Sequence, residues 1–167
     1  MIICDTHCDT LYMRALQPNK TPCVTMDAMK KGGMSLQTCT LYAGNQGMAG
    51  HPYDKAMAEY HAFEHLRDAE GWERVNSPLE AEDGKVKILL SVEGGEIFEG
   101  KVERVHEFYG YGVRMAALVW NNENGVAHPA LSGSGEGLTP LGWDIVSRMR
   151  SRHMAVDVSH LNERGFY

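Results

Sequence analysis

Short apolar runs alternate along this chain with longer segments in which apolar residues recur at helical spacing. The apolar runs, which predict strands, cover residues 1–4, 34–42, 86–92, 115–119 and 154–158. Helices are predicted over residues 11–16, 26–31, 52–70, 101–109 and 139–152. The strands are nearly continuously apolar, which is typical of parallel strands covered by helices on the outside. The pattern therefore predicts an α/β fold.

The clearest single element is the helix over residues 52–70. Its apolar stripe consists of Ala56, Tyr60, Phe63 and Leu66, and Gly71 follows as a stop signal. Loops are predicted over residues 17–25, 44–50 and 121–137, where glycine, proline, asparagine and serine concentrate. The length of 167 residues is that of one domain, so we expect residues 1–167 to belong to a single domain.

Composition and charge exclude several classes of protein. A hydrophobic content of 43% and a charged content of 23% are ordinary for a soluble globular protein. The net charge of −6, with no basic cluster, argues against a nucleic-acid partner. No apolar run has the length of a membrane span, and no basic segment precedes the first strand as in a signal peptide. The cysteines form no Cys-x-x-Cys pair, and Cys4 and Cys39 lie in predicted strands. We therefore expect reduced, buried thiols in a cytoplasmic protein.

Polar side chains that can bind a metal follow several of the predicted strands directly. Ligands of parallel α/β folds bind beyond the carboxyl ends of the strands. The residues placed there are His7, Asp9, Glu93, Trp120, Asn121 and His160. His7 and Asp9 point to the same side of an extended chain, and Zn²⁺ accepts both ligand types. A His-x-Asp sequence alone also fits a polar turn, but three strands that end in this way favour a metal centre.

Five motifs, taken in order, resemble those of a known enzyme family. They cover residues 5–10 (Asp-Thr-His-Cys-Asp-Thr), 92–95 (Val-Glu-Gly-Gly), 118–121 (Leu-Val-Trp-Asn), 137–142 (Gly-Leu-Thr-Pro-Leu-Gly) and 154–160 (Met-Ala-Val-Asp-Val-Ser-His). In order and spacing they resemble the motifs of the membrane (renal) dipeptidases and their bacterial relatives, which belong to the metal-dependent amidohydrolase superfamily. The resemblance implies a (β/α)₈ TIM-barrel fold, of which this chain would supply about five of eight strands.

The resemblance also implies a two-zinc site that hydrolyses dipeptides through a hydroxide shared between the ions. His7 and Asp9 would bind the first zinc, Glu93 would bridge both ions, and His160 would bind the second. A bridging carboxylate holds two cations close together, and the pair lowers the pKa of the shared water. Trp120 and Asn121 would contact the dipeptide substrate.

Two departures from the family pattern change the expected activity. Trp120 stands where the animal enzymes have a substrate-contacting histidine, and an indole donates one N–H but cannot relay protons. The family's second histidine on the second zinc, its substrate-binding arginine and its acid–base aspartate all lie beyond Tyr167. No acid–base residue is therefore assigned, and we expect this fragment to be a poor or inactive catalyst.

Two other functions remain open at this point. A chain that lacks part of a barrel would be a non-catalytic module or a self-associating half-barrel, so a homo-oligomer is also an expectation. Separately, His61, Glu64 and His65 match the His-x-x-Glu-His pattern of inverted zinc proteases on a predicted helix. The apolar stripe of that helix leaves the two histidines on a different, solvated face, and the sequence offers no third ligand.

Overall fold

The fold is an α/β arrangement in which a curled parallel sheet forms half of a barrel. The computed structural model describes residues 1–42 and 50–167. The predicted loop 44–50 lies, except for Gly50, outside the described residues. The strands are β1 (Cys4–Asp5), β2 (Leu36–Tyr42), β3 (Glu73–Arg74), β4 (Lys87–Glu93), β5 (Val113–Ala117) and β6 (Ala155–Asp157). Every pairing among them is parallel.

Helices follow most of the strands, as the alternation of the sequence predicts. They are α1 (Thr10–Leu16), α2 (Met26–Lys31), α3 (Pro52–Glu70), α4 (Glu103–Gly110), α5 (Pro140–Ser151) and α6 (Glu163–Phe166). Single turns of 3₁₀ helix cover Pro78–Glu80, Gly95–Phe98 and Ala130–Ser132. None of the described helices combines the length and the apolar character that a membrane crossing requires.

The sheet order β1–β2–β4–β5–β6 follows the chain, with the short β3 paired to the start of β4. The predicted α/β fold and the incomplete barrel with about five strands are thus confirmed, while β3 was not predicted. The register aligns the carboxyl ends of four strands. Tyr42 lies opposite Glu93, Glu93 opposite Ala117, and Ala117 opposite Asp157. Residues that follow these strands therefore start from one edge of the sheet.

The first strand differs from its prediction over residues 1–4. Only Cys4 and Asp5 pair as a strand with β2. The carbonyl of Ile3 accepts hydrogen bonds from the backbone N–H groups of Ser35 and Leu36, but Met1 and Ile2 are 85% and 50% exposed. Apolar character alone placed the strand too early, because none of the described elements covers the side chains at these two positions.

The four cysteines are free, as expected, but only two are buried. Cys8 and Cys39 lie in the core with their sulfur atoms 3.5 Å apart, whereas Cys4 and Cys23 are exposed. The predicted burial of the strand cysteines therefore holds for Cys39 and is wrong for Cys4. The reason is again that Cys4 lies in the edge strand β1, which pairs with β2 alone in the described chain.

Helix α3 carries a buried carboxyl group that its apolar pattern did not reveal. Glu59 is fully buried, and its Oε2 accepts a hydrogen bond of 2.8 Å from the backbone N–H of Tyr42 at the end of β2. Its Oε1 has no hydrogen-bond partner in the described chain. Burial raises the pKa of Glu59 well above the ordinary value of 4.5. The native protein therefore holds this carboxyl group in its protonated form at pH values where the unfolded chain has ionised it.

This shift predicts a pH-dependent effect of Glu59→Gln on stability. Between pH 4.5 and the raised pKa of the native carboxyl group, the native state binds more protons than the unfolded state, so the free energy of unfolding of the wild type falls as pH rises. The amide cannot ionise, so the stability of the variant relative to the wild type should increase between pH 4.5 and pH 8, by about 1–3 kcal/mol. Urea denaturation across this range measures the difference, with exposed Asp68→Asn on the same helix as the control. Parallel curves for wild type and Glu59→Gln would contradict a raised pKa.

Candidate metal centre

His7 and Asp9 lie in the loop that connects β1 to α1. The backbone N–H of His7 donates to Oδ1 of Asp5, and the carbonyl of Cys8 accepts from the N–H of Thr40 in β2. These two contacts fix the loop against the end of the sheet. The side chains of His7 and Asp9 turn toward each other, with His7 Nε2 3.3 Å from Asp9 Oδ1.

Glu93 is the last residue of β4 and brings its carboxylate to the centre of the group. The chain turns immediately afterwards at Gly94, which has a φ of 99°. One carboxylate oxygen of Glu93 lies 3.8 Å from His7 Nε2, and the other lies 3.2 Å from His160 Nε2. One ligand atom each of His7, Asp9 and Glu93 lies within 4.8 Å of the others.

His160 reaches the group from the loop after β6 with an unusual backbone conformation. Its φ of 66° is in the left-handed region, which is uncommon for a residue with a side chain. Oδ1 of Asp157 accepts from the N–H of Ser159 at 2.8 Å, and the carbonyl of His160 accepts from the N–H of Ala130 at 2.8 Å. These bonds hold the turn, and the turn directs the imidazole to Glu93.

Both imidazole rings are also held from the side that faces away from Glu93. His7 Nδ1 lies 3.2 Å from Oγ1 of Thr40, which in turn contacts Ser91 at 2.9 Å. His160 Nδ1 lies 3.1 Å from Oδ1 of Asn121. In each ring Nδ1 is thus engaged, and Nε2 faces the carboxylate of Glu93. A second contact of this kind is usual for a histidine that binds a metal.

The electrostatics of the group suit a divalent cation. The hydrogen bond to Asp9 raises the pKa of His7 to about 9, and the charge of Glu93 acts in the same direction. Burial raises the pKa of Glu93. In the described chain, the ion pairs of Asp9 and Glu93 are formed with these imidazoles alone. Two carboxylates and two imidazoles without a lysine or arginine partner form a nitrogen and oxygen donor set that fits zinc.

A cavity of about 430 Å³ opens beside this group. His7, Glu93 and His160 line it together with residues of β6 and the loop that follows. Aromatic rings lie next to the centre. The ring of Trp120 is 6.3 Å from that of His160 and 5.4 Å from that of Tyr42, which in turn is 5.5 Å from Tyr12.

Of the four ligands predicted from the sequence, His7, Asp9 and Glu93 form one group of mutually close ligand atoms. His160 adjoins this group through its contact with Glu93. Trp120 and Asn121 lie at the same end of the sheet, and the described contact of Asn121 is with His160. Sequence reasoning missed Thr40 and Tyr42. Tyr42 ends a predicted strand and Thr40 lies two residues earlier on the same side, so the rule that polar groups at strand ends form the site would have found both.

The His-x-x-Glu-His pattern gains no support from the structure. His61 and His65 are exposed on α3. Glu64 directs both carboxylate oxygens to Arg67 at 2.9 Å. Among the residues described, neither histidine belongs to a group of three potential ligands. The prediction that these histidines lie on a solvated face is therefore confirmed.

Comparison with known proteins adds the family context. The family model described as membrane dipeptidase (peptidase family M19) matches residues 1–167. A protein encoded beside pqqA in Klebsiella pneumoniae is 34% identical over 92 residues, which cover 52% of this chain and 34% of that protein. An uncharacterised dipeptidase of Schizosaccharomyces pombe is 36% identical over 77 residues, which cover 45% of this chain and 19% of that protein.

A solved structure shares the fold. The metallopeptidase of Rhodobacter sphaeroides, crystallised with a phosphinate mimic of the dipeptide L-Ala-D-Ala, superposes with a TM-score of 0.87 at 22% sequence identity. The superposition covers 99% of this chain and 60% of that one. The chain thus spans less than two thirds of the length of each of these three proteins.

Proposed function

Because this chain belongs to the membrane dipeptidase family, peptidase family M19, we propose that it carries the first part of a zinc-dependent dipeptidase site. His7 and Asp9 would hold one zinc ion and His160 would hold a second. Glu93 would bridge the two ions. A single observation carries this proposal: the two carboxylate oxygens of Glu93 face two different imidazoles, at 3.8 Å and 3.2 Å.

Zinc bound here would supply Lewis-acid chemistry, namely polarisation of the peptide carbonyl and a lower pKa of an attacking water. The residues of the chain would prepare the site for that chemistry. Asp9 and Glu93 provide the negative charge that a pair of cations needs, and the loops after β1, β4 and β6 fix where that charge lies. The raised pKa of His7 means that a proton must leave the imidazole before it can act as a ligand.

The aromatic residues beside the centre would form part of the dipeptide site. Trp120 and Tyr42 pack edge to face, and the ring of Trp120 lies 6.3 Å from that of His160. Burial raises the pKa of Tyr42, so its hydroxyl stays protonated and can serve as a hydrogen-bond donor. We propose that the indole of Trp120 shapes the pocket and excludes water, while proton transfer to the leaving amine falls to a residue that is not assigned.

The substrate class proposed is dipeptides, and L-Ala-D-Ala is the first to test because the Rhodobacter enzyme holds its phosphinate mimic. The experiment loads the purified chain with zinc, measures metal content, and assays hydrolysis of L-Ala-D-Ala and binding of the mimic. We expect zinc to be retained after gel filtration and the mimic to bind only to the zinc-loaded form. A chain that retains no zinc at neutral pH would refute the proposal.

A further inference from the structure

We propose that Asn121 is a positioning residue that presents Nε2 of His160 to the second metal, rather than a residue that contacts the substrate. This inference rests on the proposed function, since it assigns the residue that controls one half of that site. Its starting point is the contact of 3.1 Å between Asn121 Oδ1 and His160 Nδ1.

The chemistry of this contact determines which nitrogen of His160 carries a proton. A carboxamide oxygen accepts hydrogen bonds and cannot donate one. Nδ1 of His160 must therefore carry the proton that lies in this bond. The lone pair available to a metal is then that of Nε2, and Nε2 is the nitrogen that lies 3.2 Å from Glu93.

The backbone at His160 is fixed by hydrogen bonds, so the orientation of the imidazole ring is the freedom that remains. The left-handed turn at His160 is held by the side chain of Asp157 and by the N–H of Ala130. A half-turn of the imidazole about its Cβ–Cγ bond would still exchange Nδ1 with Cδ2 and Nε2 with Cε1, and would turn a carbon atom toward Glu93. The hydrogen bond to Asn121 removes this freedom, because only one orientation places Nδ1–H against the carboxamide oxygen.

His7 provides an instructive contrast on the other side of Glu93. Its Nδ1 contacts the hydroxyl of Thr40, which can donate or accept and which also contacts Ser91. A hydroxyl therefore does not dictate the tautomer of its partner. Asn121 does dictate it, and its oxygen is already used by His160.

The test compares Asn121→Leu, which removes the acceptor, with Asn121→Asp, which keeps an acceptor oxygen at a similar position. Loss of such an outer hydrogen bond typically weakens metal binding about 10–100-fold. We expect this loss in Asn121→Leu for one of the zinc ions, and wild-type or tighter binding in Asn121→Asp. The neighbouring exposed Asn122→Leu is the control and should bind zinc like the wild type. Zinc titration with a competing chelator measures each affinity.

A spectroscopic readout separates positioning from a general structural effect. In zinc-loaded protein labelled with ¹⁵N-histidine, long-range ¹H–¹⁵N correlation should show zinc on Nε2 and the proton on Nδ1 of His160. In Asn121→Leu, a mixture of tautomers is expected in the molecules that fold. If the leucine variant fails to fold, Asn121→Asp still decides the question. Zinc on Nδ1 of His160, or a zinc affinity about 10-fold weaker than that of the wild type, in Asn121→Asp would overturn the inference.

The outcomes distinguish this inference from the proposed function itself. A wild type that binds no zinc refutes the function and the inference with it. If the wild type binds zinc and the Asn121→Leu variant binds it with equal affinity, the inference alone is refuted. An Asn121→Leu variant with unchanged zinc affinity but weaker binding of the phosphinate mimic would likewise overturn it, in favour of a substrate contact.

Discussion

Glu93→Ala is expected to lose most of the zinc that the wild-type chain retains. Both carboxylate oxygens of Glu93 face an imidazole, so the substitution removes one ligand from each proposed metal at once. Each ion would keep only ligands from its own side, and the two cations would no longer share a neutralising charge. We expect a loss of zinc affinity of at least about 100-fold. This loss is larger than the one expected when a residue that only hydrogen-bonds a single metal ligand is removed. Metal analysis after dialysis at fixed free zinc measures it.

Glu93→Gln and Glu103→Ala complete this experiment. Burial raises the pKa of Glu93, so the native state disfavours its charged form relative to the unfolded chain. The uncharged amide of similar size should therefore not lower the stability of the metal-free protein. Loss of zinc in Glu93→Gln with an unchanged unfolding transition separates ligand loss from unfolding. Glu103 is an exposed residue of α4, and its variant should retain full zinc. Wild-type zinc content in Glu93→Ala would remove Glu93 from the ligand set.

Gly142→Ala is expected to cause the largest loss of stability among simple substitutions in the motifs. Gly142 lies in the first turn of α5, and a Cβ there would be 2.2 Å from the carbonyl oxygen of Val126. Thr139, the N-cap of α5, contacts the same carbonyl through both its N–H and its hydroxyl. No side-chain rotation relieves a clash with backbone, so the helix must move away from the loop. We expect a loss of about 3 kcal/mol in the free energy of unfolding by urea denaturation.

Gly110→Ala is the matched control for this effect. Gly110 ends α4, and a Cβ there would meet no heavy atom within 4 Å. Alanine also favours helix over glycine by up to about 1 kcal/mol, so the control should be neutral or slightly more stable. A Gly142→Ala variant as stable as Gly110→Ala would show that the approach of α5 to the loop tolerates a methyl group.

Local signals in the sequence predicted the elements that local interactions define. The helix predicted over residues 52–70 is observed as Pro52–Glu70, because Pro52 suits the first helical position and Gly71 adopts the left-handed conformation that ends it. The helix predicted over residues 139–152 is observed as Pro140–Ser151, and its N-cap Thr139 accepts a hydrogen bond from the N–H of Gly142. Elements of this kind depend on neighbours within a few positions along the chain.

Contacts between distant segments were the part that the sequence did not predict. Residues 1 and 2 are apolar but exposed, and Glu59 is charged in type but fully buried. Neither follows from periodicity, because burial depends on which element packs against the residue. The residues that hold the imidazoles could not be predicted for the same reason. Thr40 is 33 positions from His7 along the chain, and Asn121 is 39 positions from His160.

The sequence by itself determined the family, the alternation of parallel strands and helices, and the four polar residues placed just past the strands. The alternation and the polar residues follow from residue types and spacing along the chain, and the family follows from the resemblance of the five motifs. Only the tertiary structure decided that Glu93 lies between His7 and His160, because the register between β2, β4, β5 and β6 sets which strand ends share a level. It also decided which ring nitrogen each histidine offers, because that depends on hydrogen bonds across the sheet. The assignment of these side chains as zinc ligands stays a prediction for the experiments above.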